Sequence, residues 1–160
     1  MNPLRLNHKT QNMLEMNTVL YYVGSPRSDA RIIEATSNNL DKNEKTIEVT
    51  HKIKEACIEF KRSLLVGDVE KLTALMNEYW ELKLQTSSKV GSPALIDTYE
   101  YAMLNGATAA KISGAGGGGH MVLFTEFENR HKLISALKKR EQGRIVPFKF
   151  VKHGVDVWRQ

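Results

Sequence analysis

Apolar positions change rhythm several times along this chain, and each change marks an element. Val19-Leu20-Tyr21-Tyr22-Val23 is a compact β-prone run closed by Gly24, which predicts a strand. Ser25-Pro26 follows, a capping serine with proline at the first helical position, and predicts a helix through Ile32-Ile33 to about Asn38. The polar stretch Ser37 to Lys45 reads as a loop. From Thr46 apolar residues recur at Val49, Ile53, Ala56, Cys57, Phe60 and Leu64, the spacing of a helix with one buried face. Gly67 then Asp68 reads as a C-terminal glycine followed by a new N-cap. A second long helix places Val69, Leu72, Met76, Tyr79 and Lys83 along one side, until Thr86-Ser87-Ser88 breaks it. Ser92-Pro93 starts a third, carrying Leu95, Ile96, Tyr99 and Ala102 or Met103 inward and ending at Gly106.

The carboxyl-terminal third returns to strands. Met121 to Thr125 is short, apolar and β-branched in part, and a helix over Asn129 to Lys139 follows it, closed by Gly143. Ile145 to Val151 is an edge-type strand, since Pro147 argues against a central position. Gly154 to Trp158 is a last short strand. Strands and helices do not strictly alternate, so the fold class is α+β. A ferredoxin-like split β-α-β core with inserted helices fits, with helices packed on one face of a mostly antiparallel sheet.

One segment obeys neither rhythm. Gly114-Ala115-Gly116-Gly117-Gly118-Gly119 holds five glycines in six residues. Glycine buries no side chain and loses the most backbone freedom on folding, so such a run needs positive φ or close backbone approach to justify it. Consecutive amides in such a loop form an anion-binding concavity that suits phosphate. A flexible linker is the plain alternative, but the apolar runs Ala109 to Ile112 and Met121 to Phe124 flank this one. The spacing Gly114-x-Gly116-x-x-Gly119 formally matches the dinucleotide fingerprint, yet a strand rather than a helix comes next. A Walker loop fails too, because no Gly-Lys-Ser/Thr ends the run. The glycines point to phosphate chemistry of another architecture.

Composition narrows this further. The 160 residues suit one domain, 1–160, and the 23 basic against 18 acidic residues are interspersed. No basic cluster with interleaved aromatics argues for nucleic acid. A single cysteine, Cys57, read as core-facing, with no partner or metal spacing, suits a reducing compartment and a cytoplasmic location. The first residues lack the apolar core of a signal peptide, and no run is long enough to span a membrane.

The stretch KISGAGGGGHM, followed by a strand, a helix and a late Val-Pro-Phe-Lys-Phe, resembles the C-terminal domain of the GHMP small-molecule kinases. Within that superfamily it is most similar to the branch acting on D-glycero-D-manno-heptose 7-phosphate. Pro3-Leu4-Arg5-Leu6, Leu20 to Gly24, Arg27-Ser28, Gly67-Asp68, Tyr79 to Lys83 and Asn105-Gly106-Ala107 carry that likeness from end to end. His120 departs from the more usual apolar or aromatic residue. The resemblance implies phosphoryl transfer from ATP, with Mg²⁺, to the anomeric hydroxyl of a sugar phosphate. It also implies an amino-terminal half with the main phosphate loop and the acidic metal ligands. No such stretch occurs here, so the chain is expected to be a C-terminal half, inactive alone, that pairs with that half or self-associates through an exposed apolar cleft face.

On this reading the phosphate loop comprises Lys111, Ser113, Gly114, Gly116, Gly117 and Gly118, with no catalytic residue and no metal ligand of its own. Arg27 and Ser28, in the first turn of a helix, are candidates for the substrate phosphate, because N-terminal amides with a guanidinium attract anions. Lys83 is a third, against the plain reading of a solvated lysine. His8, His51, His120, His131 and His153 show no metal spacing and read as surface residues. Trp80 reads as core. The rival readings are the C-terminal half of another kinase of the superfamily, a non-catalytic nucleotide or sugar-phosphate binding module, and, disfavoured, a ferredoxin-like RNA-binding domain.

Overall fold

The computed structural model describes residues 4–24, 29–151, 154 and 157–158. The elements are α1 (His8–Asn17), β1 (Thr18–Gly24), α2 (Asp29–Lys42), α3 (Glu44–Val66), α4 (Val69–Gln85), α5 (Pro93–Leu104), β2 (Ala107–Ile112), β3 (Gly119–Thr125), α6 (Phe127–Lys138) and β4 (Arg144–Val146). The four strands form one antiparallel sheet in the order β2-β3-β1-β4. β1 is separated from β2 by four helices, and β3 from β4 by one. This is the split β-α-β arrangement with inserted helices that the element order predicts.

The sheet buries both faces, which is why β1 reads as an unbroken apolar run. On one face Val19 and Tyr21 of β1, Ala110 and Ile112 of β2, and Met121 and Leu123 of β3 form a core with Leu133 and Leu137 of α6 and Leu95 and Ala102 of α5. Trp80 of α4 completes it, 2 % exposed. On the other face Ala109 and Phe124 meet Met76 of α4, with Phe60 of α3 and Leu14 of α1 packed alongside. That face opens into a cleft of 370 Å³ lined by Leu20, Val122, Phe124, Phe148, Phe150 and the surrounding helices.

The helix signals hold where a cap and a stripe coincide. The Asp68 side chain accepts from the Lys71 amide at 3.0 Å, and Gly67 before it sits at φ 76°. Pro93 opens α5, although Ser92 makes no side-chain cap.

One helix goes unannounced in the sequence, and four expectations need correction. α1 is a helix that the apolar spacing does not announce; its signal is Asn7, whose side chain accepts from the Thr10 amide at 2.8 Å. The expected loop from Ser37 to Lys45 is mostly helix: α2 continues to Lys42, and only Asn43 interrupts before its side chain caps α3. Asn39 reaches from this stretch to the Thr86 carbonyl at 3.0 Å, a tertiary tie that polarity alone does not reveal. Cys57 is exposed. The buried residues of α3 are Thr46, Val49, Ala56 and Ser63, and Cys57 lies one position, about 100°, around from that line. The strand expected over Ile145 to Val151 pairs only as far as Val146, where Pro147 removes the next donor. The strand expected over Gly154 to Trp158 is not formed at its described residues, Gly154, Val157 and Trp158, which belong to no strand, while 155 and 156 lie outside the described residues, as does the predicted start of α2 at Ser25-Pro26.

Leu123 is fully buried at the centre of the sheet, whereas Leu104 is 82 % exposed at the end of α5. Leu123→Ala is expected to cost about 2–5 kcal/mol and Leu104→Ala less than about 0.5 kcal/mol. Urea unfolding of both variants beside the parent checks this; equal costs would contradict the layering.

Candidate functional site

The glycine loop is the turn between β2 and β3. Its base is closed by the Ser113 amide, which donates to the His120 carbonyl at 2.9 Å. Ser113 and Gly114 are exposed; Gly116 and Gly117 are buried. Positive φ falls at Gly114 (95°), Gly116 (99°) and Gly119 (85°). Gly117 and Gly118 do not share it, so left-handed backbone is not what selects glycine at those two positions.

Close approach explains Gly116. A Cβ there would stand 2.8 Å from Cγ1 of Val90 and 3.7 Å from Cε of Lys83. Val90 is buried in the connection between α4 and α5, and the adjacent Gly91 amide donates to the Gly116 carbonyl at 3.0 Å. Gly91 itself sits at φ 75°, where a Cβ would lie 2.5 Å from Cδ2 of Leu84. Two glycine-bearing segments are thus pressed backbone to backbone. This partner segment, Thr86 to Ser92, was missed by the sequence reading; the available signal was Val90-Gly91 directly before a Ser-Pro helix start.

The paired segments create clefts on two sides. One, of 710 Å³, is lined by Arg31 and Ile32 of α2, Ser88, Lys89, Gly91, Ser92, Pro93 and Gly117. A neighbouring cleft of 340 Å³ brings Gly117 and Gly118 against Val23 and Gly24 at the exit of β1 and the first turn of α5. The β1–β3 register shifts between Tyr22 and Gly24, re-aiming the chain at this point. The other side holds a cleft of 210 Å³ bounded by Ile32, Ile33, Thr36, Ser37 and Leu40 of α2, Lys83 of α4 and Ala115.

These clefts sort the expected site residues. Gly117 and Gly118 line the clefts, Gly116 is packed behind them against Val90 and Gly91, and Lys83 lines the cleft on the α2 side of the loop. Burial, and secondarily Lys111, pushes the Lys83 amine below the usual lysine range. Lys111 sits apart, with its amine 4.7 Å above the Tyr79 ring, in a small pocket with Ala56, Cys57 and Phe60. Burial raises the Tyr79 phenol, with Cys57 contributing further. Arg27 and Ser28 lie outside the described residues. Arg31, four positions after Arg27 in the sequence, lines the larger cleft with Lys89 and Ser92, three residues that sequence reasoning did not single out. His120 is exposed and packs at a tilt against Tyr22, with ring centroids 5.1 Å apart. Cations, hydroxyls and main-chain amides around a glycine turn are a donor set for a phosphate. They are not a set for a divalent cation: among the described residues no group of three or more His, Cys, Asp or Glu could hold a metal ion.

The chain is similar to proteins of known family. The family described as GHMP kinases C terminal matches residues 53–142. The D-glycero-alpha-D-manno-heptose 7-phosphate kinase of Campylobacter jejuni is 37 % identical over 158 residues, covering 99 % of this chain and 46 % of that protein. The crystal structure of a D-glycero-D-manno-heptose 1-phosphate kinase from Bacteriodes thetaiotaomicron superposes with a TM-score of 0.65 at 27 % identity, covering 99 % of this chain and 41 % of the other. L. major mevalonate kinase in complex with R-mevalonate gives a TM-score of 0.70 at 21 % identity over 80 % of this chain, a likeness of fold alone. The chain therefore spans less than half the length of the relatives it matches.

Side chains at Gly116 and Gly114 test the geometry. Gly116→Val is expected to cost about 1–3 kcal/mol from the backbone and about as much again from overpacking on Val90. Gly114→Ala meets nothing within 4 Å and should show the backbone cost only. Thermal unfolding that ranks Gly114→Ala as the worse substitution would contradict the close approach.

Proposed function

The chain belongs to the GHMP kinases, whose C-terminal domain it carries, and on that premise we propose that it is the carboxyl-terminal part of an ATP-dependent kinase. The proposed reaction phosphorylates the anomeric hydroxyl of D-glycero-D-manno-heptose 7-phosphate. The observation that carries the reading is the glycine loop, clamped by Gly91 and Val90 and flanked on both sides by clefts that contain cations. Supporting the heptose substrate is the 37 % identity to the Campylobacter jejuni enzyme along almost the whole chain.

Phosphoryl transfer needs little covalent chemistry from a protein; it needs positioning and charge neutralisation. The phosphoryl group itself comes from ATP. In this reading the Gly116 to Gly118 backbone holds a phosphate in place, with its shape set by Val90 and Gly91 behind it. Arg31, Lys89 and the Ser92 hydroxyl face the 710 Å³ cleft, which is large enough for a sugar phosphate. Both cations sit where a substrate's phosphate gains from charge-assisted hydrogen bonds. No Asp or Glu among the described residues lines the two cationic clefts, so no step is assigned to Mg²⁺ on this chain. The remaining wall, with the metal ligands and the second phosphate loop, is proposed to come from an amino-terminal kinase half, joined in one chain or supplied as a separate one. No helix among the described residues is long and apolar enough to cross a membrane, and a cytoplasmic location is part of the proposal.

The 160-residue chain on its own is expected to show no turnover of ATP with the heptose 7-phosphate and Mg²⁺. Adding the amino-terminal half of the Campylobacter jejuni enzyme, or fusing it to this chain, should restore phosphorylation of that sugar. Turnover by the isolated chain near one per second, typical of kinases, would refute the division of the site. A restored enzyme that phosphorylates other sugar phosphates but not this one would refute the substrate.

A further inference from the structure

Lys83 is an expensive residue for its place. It leaves α4 half-buried, its Cε lies 3.7 Å from where a Cβ on Gly116 would stand, and its cleft is otherwise lined by Ile32, Ile33, Thr36, Ser37, Leu40 and Ala115. None of these can carry a negative charge. Among the described residues the ion pairs are Lys52–Glu48, Arg62–Glu59, Lys71–Glu59 and Arg140–Asp97, and Lys83 belongs to none of them. Nor does its amine make a side-chain hydrogen bond; what the segment after α4 takes from Lys83 is its carbonyl, which accepts from the Thr86 amide and hydroxyl. The neighbouring cation, Lys111, has the Tyr79 ring face as its partner. Lys83 therefore holds a positive charge partly out of water, beside a second lysine, with no acidic group opposite it among the described residues. Desolvating a charge is unfavourable unless it is paired, and leucine or methionine would fill the same space without that penalty.

We infer that Lys83 is the cation of a phosphate subsite on the α2 side of the glycine loop, separate from the cleft that holds Arg31 and Lys89. The inference rests on the phosphate reading proposed above and deepens it. The two clefts share Ile32 as a wall and touch different loop residues, Ala115 on the Lys83 side and Gly117 on the other. One turn of glycines thus presents two cationic sides, and a reaction between two phosphate-bearing molecules needs two. The 210 Å³ of the Lys83 cleft admits a phosphate group rather than a whole sugar or base. Its ligand is a phosphate carried either by the nucleotide or by the sugar phosphate. Lys83 acts by charge and position and takes no part in bond making.

Calorimetric titration of the 160-residue chain with ATP, with the heptose 7-phosphate and with inorganic pyrophosphate, in separate arms, tests this. Lys83→Met keeps the length of the stem and removes the charge; Lys83→Gln is the second variant should the first not fold. Either is expected to weaken at least one of the three at least tenfold while the melting temperature does not fall. Lys83→Arg is expected to restore most of the loss, which a purely structural lysine would not require. Loss confined to ATP assigns the subsite to the nucleotide; loss confined to the sugar phosphate assigns it to the substrate. Equal affinities in parent and neutral variants would overturn the role of Lys83 and leave the phosphate loop standing. A parent that binds none of the three would overturn both.

Discussion

The structure around the loop depends on one close approach, that of the Gly116 backbone to Val90 and Gly91. The Gly91 amide donates to the Gly116 carbonyl, and the space a Cβ would need at Gly116 is already taken by Cγ1 of Val90. This contact fixes the turn between β2 and β3 against the connection between α4 and α5, two segments far apart in the chain. It places the start of α5 beside Gly117 and Gly118, and the stem of Lys83 beneath Gly116. Because Val90 is only 4 % exposed, the contact belongs to the interior rather than to a surface turn. The clefts on either side are what remains open once the two segments have met. A side chain at Gly116 would part them, and the clefts would lose their common wall.

The sheet explains why this arrangement stands at one end of the molecule. Gly24 pairs with Gly119, so the exit of β1 and the entry to β3 lie side by side, with the loop just beyond. The bulge between Tyr22 and Gly24 turns β1 away there and ends its ladder next to the loop. Farther along the same strands, Thr18, Leu20, Val122 and Phe124 form the floor of the apolar cleft. The molecule therefore separates its chemistry along the strands. Polar groups and glycine backbone gather at the Gly24–Gly119 end, and hydrocarbon fills the sheet behind it.

Much of this was legible in the sequence because local signals and burial agree. Asp68 after Gly67, and Pro93 after Ser92, mark boundaries by backbone chemistry that acts within a few residues. The apolar runs of β1 and β3 need no partner to be recognised. What escaped depends on tertiary contact. The polar end of α2 stays helical, with Asn39 bonded to the Thr86 carbonyl 47 residues away. Cys57 belongs to the apolar tally of α3 but not to the line that is buried. The loop's glycines were recognised as a group, yet their separate reasons were not. Gly114, Gly116 and Gly119 carry the positive φ, whereas Gly117 and Gly118 are placed by the walls around them. Nor does spacing show that Lys111 turns to Tyr79 while Lys83 turns to the loop. Arg31 and Lys89 are 58 positions apart and share a cleft only because both α2 and the connection after α4 abut the loop.

The distribution of charge around the loop also bears on why a domain of this kind works against another wall. Arg31, Lys83 and Lys89 bring positive charge to the clefts, and no Asp or Glu lines the two clefts that hold them. Such a surface attracts phosphate but supplies no base to activate a hydroxyl and no ligand set for a metal. Binding and chemistry are therefore divided between different groups. In the function proposed above, cations beside the glycine turn and the turn's amides would hold the reacting phosphates, and acidic groups would approach from the far side of the same clefts. Were carboxylates placed among these cations, they would pair with them, neutralise the site and compete with the substrate's phosphate for the same donors. In the proposed enzyme, keeping opposite charges on opposing walls would let each wall fold without satisfying the other, and the two would meet through the phosphates bound between them.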